Sequence, residues 1–226
     1  MDKIELLQSV PLFSDLSMVS LKKISEKMVT RSYPKGKMVV IEESLGRTFF
    51  LIKSGAVKVT RMNEDGREVI LAMLGEGDFF GEMALLDGEG RSANVVTIEE
   101  SILLSLQRGD FLYILESYPK IAIKLLEELT SRIRYSDQQI ESLSLSDAEQ
   151  RICITIIRLA EDLGQIKGGT VHIDNLPYHQ DIANMAGTSR ETVSRVLKTL
   201  EEKKYLKRRG RKTVIRNFNK FCQLFS

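Results

Sequence analysis

With 226 residues, of which 42% are hydrophobic and 28% charged, the chain has the composition of an ordinary globular protein, and a disordered, collagen-like or disulfide-scaffold polypeptide is excluded. The length holds one large core or two modest ones. A net charge of +2 hides an asymmetry: residues 147–226 carry 15 Lys or Arg against 9 Asp or Glu, whereas residues 1–146 carry 18 against 22, so a polyanionic partner is expected at the C-terminal third alone.

No stretch approaches the 18 or so apolar residues of a membrane span, and Met1 is followed by Asp2, Lys3 and Glu5 rather than an apolar signal core, so a cytoplasmic protein without a membrane partner is expected. Cys153 and Cys222 lack metal-ligand spacing and read as buried, reduced thiols.

In chain order, Leu21, Ile24 and Met28 are spaced for a short helix within Leu16 to Met28, which stops before Tyr33-Pro34. From there to about Leu106 come β-branched and aromatic runs: Met38 to Ile41, Thr48 to Ile52, Ala56 to Thr60, Val69 to Leu74, Val95 to Ile98 and Ile102 to Leu106. Nine of the fifteen glycines fall between Gly36 and Gly90 and separate these runs, with Asp65-Gly66 the clearest hairpin turn of a compact all-β unit.

Late in that unit stands Phe80-Gly81-Glu82-Met83-Ala84-Leu85-Leu86, followed by Arg91-Ser92-Ala93. A glycine opening a short helical turn exposes backbone N–H groups to an anion, Arg91 can fork onto a phosphate, and Glu82 can accept from a sugar hydroxyl. The alternative on chemistry alone is a Glu82–Arg91 ion pair closing a turn.

After Arg108 the pattern is helical, and Pro119 suits the first turn of a long helix reaching about Leu143. Ala122, Leu126, Leu129, Ile133, Ser136, Ile140 and Leu143 follow steps of four and three, the seam of a two-stranded coiled coil. The seam pairs two copies of the chain or, alternatively, packs on the β unit. Further on come a helix from about Glu149 to Leu163, a turn-rich link through Gly164, Gly168 and Gly169, two short helices, and a hairpin at Leu206 to Arg216 around Gly210.

Between His179 and Leu200 the spacing is that of a helix-turn-helix, with Ala183 small at the crossing, Gly187 in the turn, and Val193 and Val196 in the shared core. The second helix opens Thr188-Ser189-Arg190-Glu191-Thr192-Val193-Ser194-Arg195, which places Arg190, Glu191, Ser194 and Arg195 where base edges are read. A capping box from Thr188 to Glu191 and phosphate contact by the arginines are the alternatives. Ser189, Lys198, Arg209 and Lys212 complete the expected DNA-binding set. The run Lys203, Lys204, Lys207, Arg208, Arg209, Arg211 and Lys212 supplies affinity and salt dependence from a wing.

Taken together, Gly81-Glu82-Met83-Ala84-Leu85 with Arg91-Ser92-Ala93, the long helix, and Ser189-Arg190-Glu191-Thr192-Val193-Ser194-Arg195 resemble the CRP/FNR family over nearly the whole chain. The resemblance implies an α+β protein: a cyclic-nucleotide-binding β-roll of jelly-roll type (residues 1–118), a dimerisation helix and hinge (119–146) and a winged helix-turn-helix (147–226). It implies that Gly81, Glu82, Met83 and Ala84 form a phosphate-binding cassette, with Glu82 on a ribose hydroxyl and Arg91 and Ser92 on the cyclic phosphate. Ser136 and Asp137 stand where the cyclic-AMP receptor has Thr-Ser facing adenine, and Asp137 departs from it by replacing a hydroxyl with a carboxylate.

The expected partners are a second copy of the chain, promoter DNA with TGTGA-like half-sites, and RNA polymerase; the expected effector is cyclic AMP or cyclic GMP. No tightly bound cofactor is expected. The FNR branch holds its iron–sulfur cluster with four cysteines and this chain has two; the haem-sensing branch ligates through β-roll histidines, whereas His172 and His179 lie beyond Asp147. Two other readings are an effector-independent DNA binder with the β-roll as scaffold and a nucleotide-acting enzyme. The enzyme is disfavoured because no second carboxylate, nucleophile–base pair or metal cluster accompanies Glu82 and Arg91.

Overall fold

The structure, a computed structural model, describes residues 2–225. It divides into two compact units, one ending at Arg134 and one beginning at Tyr135.

The first unit opens with α1 (Lys3–Ser9), which Asp2 caps together with Glu5 in a reciprocal box, a 3-10 turn, and α2 (Met18–Lys27), capped by Ser17. Strands β1 (Val29–Tyr33), β2 (Met38–Val40), β3 (Thr48–Ser54), β4 (Val57–Met62), β5 (Glu68–Leu74) and β6 (Phe79–Phe80) follow, then the short α3 (Met83–Leu86), β7 (Asn94–Thr97), β8 (Ser101–Gln107) and α4 (Arg108–Ser117). The strands form two antiparallel four-stranded sheets, ordered β1-β8-β3-β6 and β2-β7-β4-β5.

Burial explains why Thr48 to Ile52 reads as an unbroken apolar run. Phe50 and Ile52 meet Val40, Val57 and Val95 between the two sheets, while Phe49 and Leu51 face α1, α2, α4 and the start of the long helix. A strand covered on both faces has no polar side to alternate with. Phe49 is fully buried and stacks on Phe79 and Phe111 at 5.4 and 4.9 Å, and each such side chain contributes on the order of 1.5–3 kcal/mol of transfer free energy.

The long helix α5 runs Pro119–Leu145, two residues beyond the expected end, and buries Ile121 and Leu125 in the core of the first unit. Its last turns belong to the second unit. There follow α6 (Ala148–Leu163), capped by Asp147, strands β9 (Gln165–Lys167) and β10 (Thr170–Ile173), α7 (His179–Ala186), α8 (Arg190–Glu202), strands β11 (Leu206–Arg209) and β12 (Lys212–Ile215), and α9 (Phe218–Phe225). The link expected as a turn-rich stretch is a hairpin: Gly168 and Gly169 both have positive φ, and Lys167 pairs with Thr170. β9 and β10 extend the expected wing into a four-stranded sheet ordered β11-β12-β10-β9.

Cys153 is fully buried, and burial pushes its thiol up to about 12, so it stays protonated. Cys222, also reduced, is half-buried rather than buried. Among the described residues no helix is long and apolar enough to cross a membrane.

Candidate functional site

Two residue sets carry chemistry, one in each unit. In the first, Gly81 follows β6 with φ +84°, and a Cβ there would lie 2.5 Å from Arg91 Nη1 and 2.9 Å from the Thr48 carbonyl oxygen. Only glycine fits. The close approach lets Arg91 donate from Nη1 to the Gly81 carbonyl at 2.8 Å and from Nη2 to the Thr48 carbonyl at 2.7 Å, and Arg91 is 7% exposed. Burial lowers its pKa and Glu82 opposes the shift, yet a guanidinium stays charged.

Glu82 precedes α3 and is 3% exposed. Its Oε1 accepts from Arg132 Nη1 at 3.0 Å, and Arg132 also donates from Nη2 to the Phe79 carbonyl at 2.9 Å with its guanidinium 4.6 Å over the Phe79 ring. Glu128, one turn earlier on α5, holds Arg132 Nε at 3.1 Å. Glu82 Oε2 is buried with no hydrogen-bond partner. Burial raises the Glu82 pKa, and the charges of Arg132 and Arg91 pull against that rise.

The turn-closing alternative of a direct Glu82–Arg91 bond is therefore not made. Arg91 spends its donors on backbone carbonyls, and the carboxylate pairs with Arg132 instead. Ala84 is buried, Met83 is half-exposed, and Ser92 Oγ donates to Met83 Sδ at 3.6 Å. Ser136 and Asp137 are both exposed on α5. Arg132 is the site residue that sequence reasoning missed. It stands seven residues after the buried Leu125 and so on the same helix face, which is compatible with its inward turn but does not single it out among the arginines of the chain.

Of the seam residues, Leu126, Ile133, Ile140 and Leu143 are at least half exposed, Ala122 is intermediate, Ser136 is exposed, and Leu129 packs against the core of its own unit. Ile123, outside the expected seam, is 56% exposed beside it.

In the second unit, Ile182, Ala183, Val193, Val196 and Leu197 are buried where α7 meets α8, and Gly187 takes the left-handed conformation at φ 59° that ends α7. The cap of α8 is Ser189, whose hydroxyl accepts from the Thr192 N–H at 3.2 Å. The alternative of a capping box from Thr188 to Glu191 is not formed, because Ser189, one residue later, holds the extended backbone of the N-cap. Arg190, Glu191, Ser194, Arg195 and Lys198 are exposed on α8, as are Arg209 and Lys212 on the hairpin. Lys198 lies 3.9 Å from Glu202 and Lys212 3.2 Å from Asp174. Such exposed pairs are weak and readily exchanged for phosphates.

Arg151 ties this unit together: Nη1 donates to the Ser146 carbonyl at 2.8 Å, Nε to Ala186 at 2.8 Å and Nη2 to Gly187 at 3.2 Å. One guanidinium so joins the end of α5 to the turn between α7 and α8.

Residues 30–118 match the Cyclic nucleotide-binding domain family, and residues 150–224 match the Crp-like helix-turn-helix domain family. The chain is 38% identical over 192 residues to the Cyclic AMP receptor protein of Thermus thermophilus, spanning 85% of this chain and 86% of that protein. It is 34% identical to the solved Thermus thermophilus Catabolite Activator Protein, with a TM-score of 0.55 over 95% of this chain and 97% of the other. FixK2 from Bradyrhizobium japonicum shares the fold, with a TM-score of 0.78 at 24% identity over 88% of this chain and 98% of its own.

Proposed function

The chain belongs to the CRP/FNR family of DNA-binding transcription regulators and is not an enzyme, and from that premise we propose a cytoplasmic homodimer whose affinity for promoter DNA is set by a cyclic nucleotide in the β-roll. The observation that carries the effector reading is the buried, unpartnered Oε2 of Glu82. An acceptor kept out of water without a donor costs about 1–3 kcal/mol, and a ribose hydroxyl supplies that donor. Arg132, holding Oε1, is the group through which an occupied cassette acts on α5.

In this reading Gly81, Glu82, Met83 and Ala84 cradle the ligand, and Arg91 and Ser92 meet the cyclic phosphate. Ser136 and Asp137 face the base. Asp137, an acceptor alone, favours a donor-rich base edge, so cyclic GMP is titrated beside cyclic AMP. Leu126, Ile133, Ile140 and Leu143 pair the two copies. Arg190, Glu191, Ser194 and Arg195, presented by the Ser189 cap, read TGTGA-like half-sites, while Lys198, Arg209 and Lys212 meet phosphates. Promoter-bound dimers then contact RNA polymerase.

A second reading is favoured by the Arg132–Glu82 pair itself, which fills half of the carboxylate's demand from within the chain: the protein binds DNA without an effector. Fluorescence anisotropy on a labelled TGTGA-N6-TCACA duplex at fixed salt separates the two. Tightening on addition of either cyclic nucleotide is expected; tight specific binding that neither ligand alters establishes the effector-independent regulator.

A further inference from the structure

Between the start of α7 and the β11–β12 hairpin lies a cleft of about 450 Å³ lined by His179, Arg190, Arg208 and Arg211 and by Tyr178 and Gln180; among the described residues none of those lining it is acidic. Arg211 is committed, donating from Nε to the Leu176 carbonyl at 2.9 Å and lying 4.7 Å over the Tyr178 ring. Arg208 is half-committed. Its Nη2 donates to Glu201 Oε2 at 2.7 Å, while its Nη1 lies 3.0 Å from His179 Nε2.

A guanidinium only donates, so His179 Nε2 must be the acceptor and the ring proton sits on Nδ1. His179 is therefore neutral in this arrangement. Burial, then the charges of Arg208 and Arg190, lower its pKa. The buried Nε–H of Arg208 has no acceptor, so the cluster is one acceptor short.

We propose that this cleft receives a backbone phosphate of bound DNA and that His179 takes up a proton when it does, so that acid tightens DNA binding. The inference rests on the DNA-binding reading above. A phosphate oxygen supplies negative charge where His179, Arg190, Arg208 and Arg211 crowd together, and it lifts the His179 pKa above that of the free protein. Protonation at Nε2 also removes the acceptor that holds Arg208 Nη1 and releases that donor toward the phosphate. The charged groups that bear on the ring are Arg190 on α8 and Arg208 on the hairpin, with Arg211 lining the same cleft; Asp181 stands two residues after His179 on α7. Glu201 on α8, the carboxylate that holds Arg208, is already paired with it.

The sign follows from linkage. Between the lower pKa of the free protein and the higher one of the complex, only the complex holds the proton, so affinity rises as pH falls through that window and is flat above it. The test is anisotropy of the full chain on the TGTGA-N6-TCACA duplex from pH 8 to pH 6 at fixed salt, with millimolar cyclic AMP throughout, beside an NMR titration of the His179 ring with and without DNA. The wild type is expected to gain affinity toward acid, by at most about tenfold per pH unit for one proton, and the ring to titrate at higher pH in the complex. His179→Gln keeps a neutral acceptor for Arg208 and, whatever affinity it has at pH 8, is expected to lose the slope. An identical slope in the variant, or a ring pKa that DNA leaves unmoved, overturns the proton linkage while the DNA-binding reading stands; absence of specific binding at every pH overturns both.

Discussion

Glu82 is a carboxylate held under cover, with one oxygen on Arg132 and the other on nothing. A ligand that lacks the hydroxyl meant for Oε2 leaves that atom unpaired in the complex as well. Cyclic 2′-deoxy-AMP is therefore expected to bind about 5- to 150-fold more weakly than cyclic AMP, the equivalent of about 1–3 kcal/mol, in a calorimetric titration. Because burial raises the Glu82 pKa, the carboxyl gains its proton early as pH falls, and a protonated oxygen no longer accepts as a carboxylate. Nucleotide affinity is thus expected to fall in acid, opposite in sign to the DNA affinity governed by His179. Gly81, Glu82, Arg91 and the α8 face were legible because each belongs to a short local motif with fixed spacing. Arg132 and the His179–Arg208 contact were not, since 50 residues separate Glu82 from Arg132 and 29 separate His179 from Arg208, and nothing in a linear pattern says which arginine turns inward.

On α5 two apolar stripes run side by side. Ile121, Leu125 and Leu129 serve the core of the first unit, whereas Leu126, Ile133 and Ile140 stand exposed. A single seam drawn through Leu129 and Ile133 mixes the two, and substitution separates them. Ile133→Asp is expected to leave a folded monomer and to weaken dimerisation by at least about tenfold in sedimentation, as a charge placed in a desolvated seam does. Leu129→Asp is expected to lower the thermal midpoint of the first unit instead, because its side chain belongs to that core. Elements marked by an apolar run, such as β3 and β8, or by strong periodicity, such as α8, were readable from the chain. β1 was not: four of its five residues are exposed, so no apolar pattern marks it. β6 has two residues, too few for a period, and α9 is a short terminal helix that buries Phe218 and Phe221 and packs on α6.

Across the whole molecule the charge asymmetry follows function, with the excess of cations confined to the part that holds α7, α8 and the hairpin. Each phosphate neutralised steepens the fall of log affinity with log salt by about 0.9. Lys198→Gln is expected to reduce that slope by about 1 and to weaken operator and random duplex alike, whereas Arg195→Ala, at a position proposed above to read bases, is expected to change the ratio between them. The two units share α5 rather than a flexible linker, and the division falls inside it at Arg134 and Tyr135. Starting a helix is the costly step, and lengthening one is cheap. The first unit takes in α5 as far as Arg134, so during synthesis the greater part of that helix is made, with Ile121 and Leu125 in the core, before the second unit begins. The second half therefore extends an existing helix one residue at a time, and the DNA-binding unit starts to fold on a template that its own sequence did not have to nucleate.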